Sequence, residues 1–185
     1  MKNIPFVDLK LQYKNIKKDI DQAIKKVLTN TSFVGGPDIE KFAASLSHLM
    51  GTKHALPVAN GTDAIYIALK MLGIGVGDEV ITTGFTFIST VEVVALMGAK
   101  PVLVDVRPDT FTIDPEQVRA AITPRTKAIV PVHLFGQMAD MDALMDISDS
   151  SGVPIIEDNA QAIGAAWCGE AHRHGQSGTF GLIGT

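Results

Sequence analysis

Five short β-type apolar runs, at about residues 54-58, 79-83, 101-105, 127-132 and 153-157, alternate with helical segments at about 60-72, 88-97, 114-122 and 138-150. This rhythm constrains the fold more than any other feature of the chain. Strands separated by helix-length connections pair in parallel, and a parallel sheet needs helices over both of its faces. The expectation is an α/β fold with a mostly parallel sheet sandwiched by helices. Ligands of such sheets bind beyond the carboxyl ends of the strands, so the residues that follow each run are the first candidates for function.

Before that rhythm begins, Ile16, Ile20, Ala23, Ile24, Val27 and Leu28 recur at helical spacing. They predict an amphipathic helix from about Asn15 to Asn30 with one buried stripe. Phe33-Val-Gly-Gly-Pro37 breaks it, and Pro37 or Asp38 starts a second helix through Phe42, Leu46 and Leu49 that ends near Gly51. With 185 residues and 46% hydrophobic content the chain is close to the length of one domain and can bury a sizeable core. Its net charge of -4 and pI near 5.7 offer no basic field to nucleic acid or an anionic membrane. Lys14, Lys17, Lys18, Lys25 and Lys26 read as the wet face of the first helix. The single cysteine, Cys168, has no internal disulfide partner, and residues 1-10 carry Pro5, Asp8 and two lysines where a secretory signal would be apolar. With no apolar run near the roughly 20 residues that span a bilayer, a soluble, cytoplasmic protein is expected.

Three segments at strand-to-helix junctions can carry chemistry. Asn60-Gly-Thr-Asp63 follows the run 54-58 and opens a helix, where free N-H groups, a residue without Cβ and a hydroxyl suit a phosphate; Asn60 as a simple N-cap is the alternative. The dipole contributes only about 0.3-1 kcal/mol, so the N-H bonds and the hydroxyl must do most of the holding. Phe85-Thr-Phe87 follows the run 79-83, and an aromatic ring there either packs in the core or stacks on a flat heteroaromatic ligand. Alternation along an extended chain allows at most one of the two rings to stack. Glu157-Asp158 ends an otherwise apolar strand. A carboxylate there needs a partner: a pyridinium nitrogen, whose proton the Asp would hold in place, or the N-H groups of a following turn. Gln161 both donates and accepts, which suits a phenolic oxygen on the same ring.

Three further features rank lower. Gly73-Ile-Gly-Val-Gly77 follows a helix and precedes a strand, the reverse of a dinucleotide-binding turn, and reads as a helix C-cap and turn. His172-Arg-His174 with Cys168 has no established metal spacing and reads as an exposed loop. His133 ends a strand on the presumed ligand side, with a site-lining role and a packing role both open. A dinucleotide-binding oxidoreductase would need a glycine-rich turn after the first strand, where this chain has the single Gly61.

Taken together, Ile4-Pro-Phe-Val-Asp-Leu-Lys10, Asn60-Gly-Thr-Asp-Ala64, Gly77-Asp-Glu-Val-Ile81, Phe85-Thr-Phe87, Pro131-Val-His-Leu-Phe-Gly-Gln137 and Glu157-Asp-Asn-Ala-Gln-Ala-Ile-Gly164 closely resemble the DegT/DnrJ/EryC1/StrS family over essentially the whole chain. That family consists mainly of pyridoxal phosphate (PLP) dependent sugar aminotransferases of the aspartate-aminotransferase (type I) fold, homodimers that act on nucleotide-linked keto sugars. The resemblance implies that Gly61 and Thr62 hold the cofactor phosphate, Phe87 stacks on its ring, Asp158 pairs with the pyridine nitrogen and Gln161 lies near the ring oxygen. It also implies a ping-pong transamination with glutamate as the expected amino donor. The family's Schiff-base lysine follows a segment that would begin just past Gly184. The expectation is therefore that residues 1-185 comprise the N-terminal segment and most of the large PLP-binding domain, without the C-terminal small domain, and are non-catalytic alone. A non-enzymatic PLP-binding or regulatory member of the family is the alternative.

Overall fold

The structure is a computed structural model, and it describes residues 5-167 and the backbone of 180-182. The residues group into two compact units that divide between Pro57 and Val58.

The first unit holds two helices, α1 (Leu9–Asn30) and α2 (Pro37–Met50). Asp8 caps α1, its carboxylate accepting from Leu11 N at 2.9 Å, and Thr31 closes it in the left-handed region. Pro37 opens α2 in the first turn, where its missing N-H is harmless, and Gly51 at φ +64° ends it. Both helices fall where the periodicity places them. The buried stripe does not: Ile16, Ile20, Ile24 and Leu28 are 39-59% exposed, and α1 has no buried residue. An amphipathic pattern states that a helix needs cover, and α2 alone does not supply it within this unit.

The second unit begins with α3 (Gly61–Met71) and continues β1 (Glu79–Thr83), α4 (Ser89–Leu96), β2 (Lys100–Val104), α5 (Pro115–Ala121), β3 (Thr126–Val130), α6 (Met141–Ser151), β4 (Ile156–Asp158) and β5 (Phe180–Leu182). All strand pairs are parallel: β1 lies between β2 and β3, and β4 pairs with β5. Bridges Ile129 to Ile155 and Val132 to Asp158 set β4 beside β3, so the strands run β2-β1-β3-β4-β5. The order reverses at β1, the kind of point at which parallel sheets open a crevice at their carboxyl ends. The run 54-58, expected as a first strand, is in no ladder among the described residues.

Alternate residues of β1 and β3, with Ile155 just before β4 and Ile156 at its start, feed two cores. Val80, Ala128, Val130 and Ile156 pack with Ile65, Leu69, Val93 and Val94 of α3 and α4. Ile81, Ile129 and Ile155 face the other way, onto Val118, Leu144 and Ile147 of α5 and α6. This is the two-faced burial expected from the apolar runs. The Gly73 turn after α3, at φ +73°, is the helix end read from the sequence.

At the amino-terminal edge of the sheet, Glu79 is buried. The Thr123 hydroxyl donates to its Oε2 at 2.6 Å, and the largely exposed Arg125 guanidinium lies 2.7 Å from Oε1. The hydroxyl first, and the guanidinium second, hold the Glu79 carboxyl down at about 2. A folded-state value below the ordinary 4.5 means that the stabilisation is complete above about pH 4.5 and is lost as the pH falls through about 2. Glu79→Gln should therefore flatten the fall of the urea midpoint across that window. Parallel curves for the two proteins would show that this ion cluster contributes nothing.

Candidate functional site

Among the residues expected to hold the cofactor, Asp158 is the most buried. It ends β4 and is buried, 5% exposed. Its Oδ2 accepts from the Thr90 hydroxyl at 2.9 Å and its Oδ1 from Ala160 N at 3.2 Å. Thr90, fully buried, stands in the first turn of α4, the helix that follows β1. Both donors are neutral, and among the described residues no cation pairs with this carboxylate. A buried carboxylate served only by neutral donors is chemically matched to a cationic N-H of a ligand.

Gln161 lies three residues on. Its Oε1 accepts from Phe135 N at 2.8 Å, and its NH2 group has no protein acceptor among the described residues. The side chain therefore presents a donor, as a phenolate oxygen requires. Phe135 is held at φ +56° in the single turn Leu134–Gly136 after β3, a conformation uncommon for a residue with a side chain.

At the start of α3 the cap and the anion-binding readings of Asn60 are compatible. Asn60 Oδ1 accepts from Asp63 N at 2.9 Å, and its NH2 engages the Asp63 carboxylate at 3.1 Å. The N-H groups of Gly61 and Thr62 have no acceptor among the described residues, and both residues are half-buried. They are the free positive end of an 11-residue helix.

The two phenylalanines after β1 separate by environment. Phe85 packs its ring 5.9 Å from Phe111 and 6.4 Å from Phe135, whereas Phe87 is 70% exposed with no aromatic contact among the described residues. Neither is core, and Phe87 is the ring left open to a ligand. His133 is fully buried, with Nε2 2.9 Å from Glu157 Oε2 and Nδ1 accepting from Ala139 N at 3.1 Å. Cys168, His172 and His174 lie outside the described residues, among which no group of side chains has metal-binding geometry. An open hollow of about 300 Å³ lies beside Glu79, Lys100 and Arg125, at the opposite edge of the sheet from these groups.

The match to the DegT/DnrJ/EryC1/StrS aminotransferase family runs over residues 14-185. The chain belongs to this family. It is 50% identical over 167 residues to the UDP-2-acetamido-2-deoxy-3-oxo-D-glucuronate aminotransferase of Pseudomonas aeruginosa, covering 90% of this chain and 46% of that protein. It is 49% identical over 168 residues to the pleiotropic regulatory protein of Geobacillus stearothermophilus, covering 91% and 45%. The crystal structure of NtdA from Bacillus subtilis with bound cofactor PMP superposes with a TM-score of 0.86 at 36% identity, over 92% of this chain and 40% of that one. The chain thus spans about half the length of the curated relatives it matches. The parallel sheet between helices is the type I fold of PLP-dependent transferases, as the family resemblance implies.

Within this DegT/DnrJ/EryC1/StrS member, two participants in the site have no sequence signal of their own. Thr90 is one hydroxyl in the run Ile88-Ser-Thr-Val, and its partner lies 68 residues away. Phe135 contributes its backbone N-H, which any residue but proline carries. A hydroxyl in the first turn of the helix after Phe87 was the one available hint for Thr90. No helix among the described residues is long and apolar enough to cross a membrane.

Proposed function

We propose that this chain carries the cofactor-facing part of a PLP-dependent aminotransferase that aminates a nucleotide-linked keto sugar, with glutamate as amino donor. The observation that carries the reading is the buried Asp158 carboxylate, held by the Thr90 hydroxyl and the Ala160 N-H and lacking a cation among the described residues, one turn from the outward NH2 of Gln161. The relatives support the substrate class, being named for UDP- and dTDP-sugars.

When bound, PLP supplies an electron sink for charge that develops on the substrate carbon. The protein's part is to hold that sink in its active state. Asp158 keeps a proton on the pyridine nitrogen, and its neutral donors leave its full negative charge for that task. Gln161 donates to the ring oxygen. The N-H groups of Gly61 and Thr62, with the Thr62 hydroxyl, take the phosphate, and Phe87 covers one face of the ring. As an assembly we propose a cytoplasmic homodimer.

Thr62→Val keeps shape and removes one donor to a charged group, which weakens PLP binding by roughly 10- to 100-fold. An absorbance titration that gives the wild-type Kd would remove Thr62 from the phosphate site. The likeness to the pleiotropic regulatory protein favours one alternative, a family member that binds PLP and regulates without turnover. Borohydride reduction and intact-mass measurement of the PLP-incubated full-length protein, with and without glutamate, decide between them. A stoichiometric adduct, together with conversion of the bound PLP by glutamate, supports the aminotransferase. Bound PLP that glutamate leaves unchanged supports the regulator.

A further inference from the structure

We infer that His133 is a positioning residue for the ring oxygen of the cofactor, acting at a distance through the turn that follows it; the inference rests on the reading of Gln161 given above. A primary amide has a donor end and an acceptor end of nearly equal shape, and only the donor end suits a phenolate. In this protein the choice is made by Phe135 N-H, which occupies Gln161 Oε1 at 2.8 Å and leaves the NH2 facing outward. That N-H is aimed by a backbone at φ +56°, which a phenylalanine keeps only where its surroundings over-determine it.

His133 is what over-determines it. Its backbone N-H donates to Asp158 O at 3.0 Å, so the near end of residues 133-139 is fastened to β4. Its ring closes the far end: Nδ1 accepts from Ala139 N at 3.1 Å. Since Nδ1 accepts, the proton of the neutral ring is on Nε2, which donates to Glu157 Oε2 at 2.9 Å. The backbone N-H of His133 thus ties the near end of the turn to β4, its buried imidazole links the far end to Glu157 of the same strand, and the donor for Gln161 lies between the two ties. His133 touches no ligand in this arrangement. It sets the orientation of a group that does.

The two ring nitrogens can be replaced one at a time. His133→Asn keeps an acceptor at the Nδ1 position, and His133→Gln keeps a donor at the Nε2 position. The readouts are the absorption spectrum of the PLP-loaded protein and the Kd for PLP. Gln161→Leu is expected to displace the cofactor band and weaken binding about tenfold. His133→Gln, which frees Ala139, should reproduce both changes, while His133→Asn, which keeps the acceptor for Ala139 N, should stay close to wild type. A wild-type spectrum for Gln161→Leu overturns the reading of Gln161 and the inference with it. A displaced band for Gln161→Leu with a wild-type band for His133→Gln overturns the inference alone, as does an equal loss in His133→Asn. If His133→Gln does not fold, Glu157 carries the same test. Glu157→Gln retains an acceptor for Nε2 and should match wild type, and Glu157→Leu, which releases the tautomer, should displace the band. Matching spectra for those two variants overturn the inference.

Discussion

In the full-length protein loaded with PLP, Asp158→Asn is expected to slow the conversion of bound PLP by glutamate by about two orders of magnitude or more. The amide has the shape of the carboxylate and can still accept from Thr90 or from Ala160 N, so folding should change little. What it lacks is the charge that holds a proton on the pyridine nitrogen, and without that proton the ring is a poorer sink for electrons. A hundredfold loss corresponds to about 2.7 kcal/mol of transition-state stabilisation, within what one preorganised charge supplies at an active site. Stopped-flow absorbance with glutamate reads the step directly, and urea unfolding of the same sample checks the fold. A wild-type rate in a folded variant would take Asp158 out of the mechanism.

Thr90→Val should lower the stability of the cofactor-free protein by about 1.5-3 kcal/mol. Valine fills the same volume but leaves Asp158 Oδ2 buried without its donor, and that stranded acceptor is the source of the loss. The same change should loosen PLP, because a carboxylate free to rotate no longer presents a fixed oxygen to the ligand. The bond itself is isolated by a double-mutant cycle with Asp158→Ala, which removes the acceptor. Coupling of the order of 1 kcal/mol is expected between two groups in direct contact. Strict additivity of the two stability changes would mean that Thr90 acts only by filling space.

The two predictions differ in how much of each was visible in the amino-acid order. Asp158 stands at the end of an apolar run, and a charge there is conspicuous. Thr90 is one hydroxyl among several, and its importance rests on a contact that closes over 68 residues. Phe135 with Gln161, 26 residues apart, and His133 with Glu157, 24 apart, are of the same kind. His133 shows the consequence. Its position at a strand end left lining and packing equally open, and the structure decides for burial with both nitrogens engaged.

What the sequence determined by itself is what depends on neighbours within a turn or two. The helices, their Pro37, Asn60 and Gly51 boundaries, the parallel strands from 79 onward and the junctions that hold the candidate residues all follow from periodicity and capping, which are local. The order of the motifs carried the resemblance to the family. Tertiary structure alone decided which surfaces find cover, which donors reach which acceptors, and whether a β-type run pairs. So Ile16, Ile20, Ile24 and Leu28 form a well-patterned stripe that stays exposed, and the run 54-58 has strand-like residues without a ladder. Burial and hydrogen bonding are relations between distant segments, and their free energies are set by the partner's position as much as by the residue.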